Sequence, residues 1–178
     1  MRITMRDDQK LNPVKHLAEN YAPKIVGPAM AFANACYAKS QLSLREFEGA
    51  RMRTAQINGC ELCRGFRAAR DLPEMFGQVR GVVENGPEPQ EAFYAAVADF
   101  RTSTLFSERE RLAIDYAERM GLDPQGLARD EPFWARLKAA FSEDEIVDLT
   151  YCIGAWMGLG RAVHVLGLDQ ACAMPTTA

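Results

Sequence analysis

The sequence predicts an all-α fold, and three observations carry that prediction. The pattern Ser-x-x-Glu occurs three times directly ahead of an apolar-periodic stretch, at Ser43 with Glu46, Ser107 with Glu110 and Ser142 with Glu145. Each pair can form a capping box, in which the serine oxygen accepts from a free helix N–H and the glutamate reaches back to the cap. The segments that follow space their apolar residues three and four apart, as one face of a helix requires. No segment alternates apolar and polar residues as a half-buried strand does.

Taken in order, the first stretch is an N-terminal arm of about residues 1–40. Its opening, "MRITMRDDQKLN", has no apolar h-region and does not read as a signal peptide. Within the arm, "IVGPAMAFANACYA" is the longest apolar run; it contains Pro28 and is too short to span a bilayer. A capped helix is expected from about Ser43 to Ile57, with Leu44, Phe47, Ala50, Met52 and Ala55 on its apolar side. Asn58-Gly59 should end it, since glycine is the usual residue just past a helix C-terminus. A new helix should start near Cys60 and stop before Pro73, completing a segment of about residues 42–72.

"GVVENGPEPQ" reads as a loop from its Gly, Asn and Pro content. "EAFYAAVADF" and "ERERLAIDYAERM" read as further amphipathic helices, and "EPFWARLKAAF" as one that opens on Pro132, where a missing N–H costs little. The last helix, from about Glu143 to Leu166, is apolar on most sides, which marks a central core helix or a subunit interface. These C-terminal helices occupy about residues 105–170. Apart from the capping pattern there is no internal repeat.

At 178 residues the chain fits one domain, residues 1–178, with enough length to bury a core without disulfide staples. A formal charge of −3 gives no strong pull toward nucleic acid or an anionic membrane, so neither is expected as a partner. The five cysteines are not spaced like a secreted disulfide framework, and a reducing, cytoplasmic setting is the simplest expectation.

Chemistry concentrates in "NGCELC". On a helix, Cys60 and Cys63 would have Cβ atoms about 5–6 Å apart. A disulfide needs about 3.5–4.5 Å, which a small adjustment of the first turn supplies. A helix N-terminus also favours the thiolate. Spacing leaves three readings open: a cycling disulfide, half a zinc site, or two inert thiols. Zinc needs about four ligands. Cys36, Cys152 and Cys172 stand isolated in the sequence, and the only histidines are His16 and His164, so no metal is expected.

Glu48 shares a helix face with Leu44, Met52 and Ala55. Buried in that stripe it would be a proton acceptor. Alternatively it pairs with Arg51 or Arg45 on a solvated edge. Arg64, Arg67 and Arg70 form an i, i+3, i+6 row, the pattern of a wet helix edge.

The run "LSLREFEGARMRTAQINGCELC" resembles the signature segment of the carboxymuconolactone decarboxylase superfamily, in its alkyl hydroperoxidase D-like branch. "LFSERERLAIDYAERM" and "FSEDEIVDLTYCIGAWMGLGRAVHVLGLD" resemble the same family downstream. The resemblance implies an all-α alkyl hydroperoxidase D-like helical bundle assembled as a homo-trimer or hexamer. It implies a peroxidase or disulfide-reductase activity on a small hydroperoxide or disulfide. No tightly bound cofactor is implied, but an external dithiol reductant is required. Residue by residue, the resemblance makes Glu48 the proton relay, Cys60 the outer thiol and Cys63 the thiol that attacks peroxide.

The pattern's histidine, four residues after the second cysteine, is Arg67 here. Arginine cannot accept a proton, so the relay is incomplete, although Arg67 on the thiol face could stabilise a thiolate. His164 is a candidate replacement if the last helix crosses the cysteine site; otherwise it is a satisfied core or interface histidine. Two other functions compete with the oxidoreductase. A non-catalytic oligomeric or redox-sensing protein is favoured by Arg67. A lactone decarboxylase is disfavoured by the cysteine pair, which that chemistry does not need.

Overall fold

The computed structural model describes residues 2–5, 13–76 and 80–169. Among these, regular structure is entirely helical. Ten α-helices follow in order: α1 Pro13–Asn20, α2 Pro23–Lys39, α3 Leu44–Asn58, α4 Glu61–Gly65, α5 Ala68–Phe76, α6 Glu91–Ala96, α7 Glu108–Leu122, α8 Pro124–Leu127, α9 Glu131–Ala140 and α10 Glu143–Val165. Short 3₁₀ turns lie at Val82–Glu84 and Val97–Asp99.

All three capping boxes form, at the starts of α3, α7 and α10. They also meet. Arg109 at the start of α7 donates to Glu46 of α3 and to Glu145 of α10, and Arg45 of α3 donates to Glu110 of α7. The box glutamates therefore carry two loads, a cap and an interhelix ion pair. Further along, Arg53 pairs with Glu118, keeping the register set by Arg45 and Glu110. So α3 and α7 run in the same direction. α10 runs with them, since Thr150 meets Tyr116 in its first half and Met157 meets the position of Gly121 in its second. The core sits between these three helices, with Phe47, Ile153, Leu149 and Leu137 wholly enclosed.

Three expectations change. The N-terminal arm holds two helices, and α2 runs through Pro28 to pack on α10. The helix expected from Cys60 to Pro73 is two helices, α4 and α5, broken at Phe66 and Arg67, and Pro73 lies inside α5. The helix expected over "EAFYAAVADF" ends in a 3₁₀ turn after Ala96. No described helix is long and apolar enough to cross a membrane. α10 buries Leu149 and Ile153 but leaves Val147 and Tyr151 exposed, next to exposed Phe32 of α2.

The ion pairs at the helix starts make stability depend on pH. Burial pushes the Glu118 carboxyl up, but Arg101 and Arg53 outweigh it and hold it below the ordinary glutamate value. Glu145 is likewise held low, burial being outweighed by Ser142 and Arg109. Carboxylates depressed in the folded state stabilise it above the unfolded value of about 4.3 and lose that contribution as pH falls through the folded value. The urea midpoint should be level from about pH 7 to about pH 5 and drop below about pH 4. Arg109→Ala should shrink the acid-dependent part of that drop.

Candidate functional site

α3 ends at Gly59, which takes the left-handed conformation (φ 68°) and sends its N–H back to the carbonyls of Ala55 and Gln56. Glycine adopts that conformation without a Cβ clash. Cys60 follows as the N-cap of α4, extended, its sulfur accepting the Cys63 N–H at 3.3 Å. The two cysteines are joined as a disulfide, with Cα atoms 5.2 Å apart. Because Cys60 stands outside the helix, its Cβ is not bound to the i, i+3 helical spacing, and the gap expected from spacing closes. Cys60 is wholly buried and Cys63 half-buried. Cys60, expected as the outer thiol, is thus the more buried of the two, and Cys63 is the more exposed.

Glu48 is wholly buried and binds Arg51 through both oxygens, at 2.8 and 2.9 Å. The Tyr94 hydroxyl also bonds to Glu48. Each expectation for Glu48 held one half of this: it is buried, as the apolar stripe predicts, and paired with Arg51, as the spacing predicts, but no solvated edge is involved. Arg45 serves Glu110 instead. Burial alone would lower the Arg51 pKa, but the charge and hydrogen bonds of Glu48 raise it above the ordinary arginine value. Arg51 donates onward to the carbonyls of Cys63 at 2.7 Å and Phe66 at 2.6 Å. The pair therefore grips the end of the cysteine turn.

Arg67 is not on a wet edge. Because α4 stops at Gly65, Arg67 does not continue a helical row with Arg64 and Arg70. It is 9% exposed, its guanidinium stacked 3.9 Å over Tyr94, bound to Glu91 and donating to the carbonyls of Arg64 and Phe66. Arg70 caps Gly65 in the same manner. The last carbonyls of a five-residue helix, which have no intrahelical donors, are thus taken by three arginines. Those bonds make Arg67 a cap of the α4 end.

A cavity of about 130 Å³ opens onto Cys63. Met30 and Ala33 of α2, Leu62 of α4 and Leu159 of α10 give it an apolar wall, broken by Arg51 and Asn58. Asn58 donates to the carbonyls of Trp156 and Met157, which fixes its amide so that Oδ1 is the acceptor left over. Among the described residues, Asn58 Oδ1 and Trp156 Nε1 are buried without a hydrogen-bond partner. Both atoms lie behind the cavity wall, whose accessible surface is almost wholly apolar. Gly160 makes the close approach possible, since a Cβ there would lie 2.6 Å from Asn58 Nδ2 and 3.7 Å from Cys63 Sγ.

The last helix does cross the cysteine site. His164 lies over Gly59, its Nε2 3.4 Å from where a Cβ would be, and its Nδ1 is 2.8 Å from Asp169 Oδ2. The same Asp169 oxygen accepts the Glu61 N–H at 3.2 Å, at the start of α4. Among the described residues, no group of three or more His, Cys, Asp or Glu is arranged to hold a metal. Cys172 lies outside the described residues. Sequence reading missed Asn58, Trp156 and Asp169 as site residues and saw Arg51 only as a partner for Glu48. Their roles depend on contacts between α3, α4 and α10 that no local spacing encodes.

No protein-family model matches the chain. Over 59 residues, 33% of the chain, it is 44% identical to the uncharacterized protein YnjA of Escherichia coli K12, and that match spans 31% of YnjA. A crystal structure of ATU0492 from Agrobacterium tumefaciens, a protein of unknown function suggested to be the antioxidant defence protein AhpD, superposes with a TM-score of 0.59. The likeness covers 88% of this chain and 94% of that one at 22% identity. The chain thus has an all-α, AhpD-like fold.

Breaking a buried ion pair from one side costs about 3–5 kcal/mol, because a charge is left uncompensated. Arg51→Met should lower unfolding stability by about that amount in urea. Replacing both partners, as Glu48→Leu with Arg51→Met, should recover most of it. Equal stability of the single and double variants would show that the pair is not coupled.

Proposed function

We infer that this protein is a thiol-dependent oxidoreductase that reduces small apolar hydroperoxides with the Cys60–Cys63 pair. The observation that carries the reading is the placement of Cys63, half-buried on the wall of an apolar cavity and bonded to a buried Cys60. In the reduced pair, the Cys63 thiolate attacks one peroxide oxygen, the O–O bond breaks, and an alkoxide leaves as Cys63 becomes a sulfenic acid. The Cys60 sulfur then displaces hydroxide, forming the disulfide and water. An external dithiol attacks Cys63, the less buried sulfur, and restores both thiols through a mixed disulfide. A disulfide substrate would enter at the same sulfur.

The surroundings support this chemistry in parts. Arg51 sits in the cavity wall with Cys63, and its fixed positive charge favours the thiolate. Glu48 acts here by orienting Arg51 rather than by taking the thiol proton, since its oxygens are held by Arg51 and Tyr94. His164, held by Asp169 against the residue preceding Cys60, is the proton carrier in place of the histidine that Arg67 replaces. A redox-sensing reading has one observation in its favour, the Arg67 side chain bound up as a helix cap.

The fully reduced chain, given one equivalent of an organic hydroperoxide such as cumene hydroperoxide, should lose the Cys60 and Cys63 thiols together. With excess dithiothreitol it should turn over many times. One round of oxidation without turnover would favour the sensor, and unreacted thiols at these positions would end the peroxidase reading. The exposed row of Phe32, Val147 and Tyr151 fits the trimer or hexamer that the resemblance implies. Sedimentation at micromolar concentration should show a species larger than 19.8 kDa.

A further inference from the structure

A second pair of thiols lies outside this site. Cys36 is near the end of α2 and Cys152 is in α10; both are free and buried. They stand isolated in the sequence, but folding joins them, because the two thiols hydrogen-bond to each other. Cys152 also reaches a carboxylate, its sulfur donating to Asp148 Oδ1 at 3.3 Å. The other oxygen of Asp148 accepts the Gln41 N–H at 2.7 Å, which fixes the carboxylate in place. Both cysteines line an open groove of about 540 Å³ between α2 and α10, with Lys39, Asp144 and Tyr151 also on its walls. A small oxidant can enter a groove of that size.

The geometry points to a second redox site: Cys36 and Cys152 are oxidised by a hydroperoxide to a disulfide that ties α2 to α10. The two thiols are unequal. The bond between the two thiols holds the Cys36 thiol below its ordinary value, against burial and the Asp148 charge. Cys152 is held up by that same bond, by burial and by the charges of Cys36 and Asp148. The Asp148 carboxylate against the Cys152 sulfur opposes a thiolate there, so Cys36 is the nucleophile. Its thiolate attacks a peroxide oxygen, the O–O bond breaks, and the alkoxide leaves and takes up the proton that Cys36 released. The Cys152 sulfur then attacks the Cys36 sulfenic acid, the S–O bond breaks, and the departing hydroxide takes the Cys152 proton by way of Asp148. Two thiols and one hydroperoxide give one disulfide, one alcohol and one water.

The bond would join two helices that wall the Cys63 cavity, α2 through Met30, Ala33 and Tyr37 and α10 through Trp156, Leu159 and Gly160. The second pair stands independently of any activity at the first. Its test uses the full chain carrying Cys60→Ser and Cys63→Ser, reduced and then treated with tert-butyl hydroperoxide. Titratable thiols should fall from three to one, leaving Cys172. Non-reducing tryptic mass mapping should link the peptide Ile25–Lys39 to the peptide Ala139–Arg161. Adding Cys152→Ser should stop the reaction at a Cys36 sulfenic acid that dimedone traps. The same link should appear in the unsubstituted chain beside the Cys60–Cys63 bond, so the result does not rest on the variant's folding. Cys36 and Cys152 remaining reduced, or linking to Cys172 instead, would overturn the inference.

Discussion

The guanidinium of Arg51 is buried among four acceptors, the two carboxylate oxygens of Glu48 and the carbonyls of Cys63 and Phe66. Without Glu48 that cation would be stranded in the interior, and without Arg51 the end of α4 would lose its donors. The five-residue helix that carries Cys63 is too short to hold itself together by its own hydrogen bonds. It is held from outside, by Arg51 from α3 and by Arg67 and Arg70 from the turn that follows. The position of the Cys63 turn thus follows from one buried ion pair.

That ion pair is itself placed by the packing of three helices that run the same way. Their starts are drawn together by Arg45 and Arg109, which bridge the glutamates of the capping boxes. Their far ends bring Asn58, the cysteine turn and Gly160 to one place. The close approach at Gly160 decides the geometry there. A side chain would push Asn58 away and close the space beside Cys63.

The two thiol pairs differ in what surrounds them. Cys60 and Cys63 sit at a helix start with a cation in the cavity wall, while Cys36 and Cys152 sit on neighbouring helices with a carboxylate against one sulfur. A cation favours thiolates and a carboxylate opposes them, and the Arg51 cation is itself paired with the Glu48 carboxylate. α10 serves both, with Cys152 facing one groove and Gly160 the other cavity.

The local chemistry of the sequence was enough to determine the all-helical class, the three capped helix starts, the stop at Gly59 and the pairing of Cys60 with Cys63. Each depends on residues within one turn of each other, where backbone hydrogen bonding and side-chain spacing are the whole problem. Glu48 was half legible. Its helix face predicted burial and its spacing predicted Arg51, but the two had to be combined. Arg64 and Arg70 are exposed, as their row predicts, but Arg67 is buried, because a continuous helix is only one of the ways to place those residues. Tertiary structure broke that helix, since carbonyls freed at Gly65 and Phe66 found guanidinium donors in place of helical N–H groups. It also chose which sulfur is inner, brought Asn58 and Trp156 to the cavity wall, set His164 on Asp169 and joined Cys36 to Cys152. Those outcomes depend on contacts between segments far apart in the chain, and burial, desolvation and pairing are decided only when the helices pack.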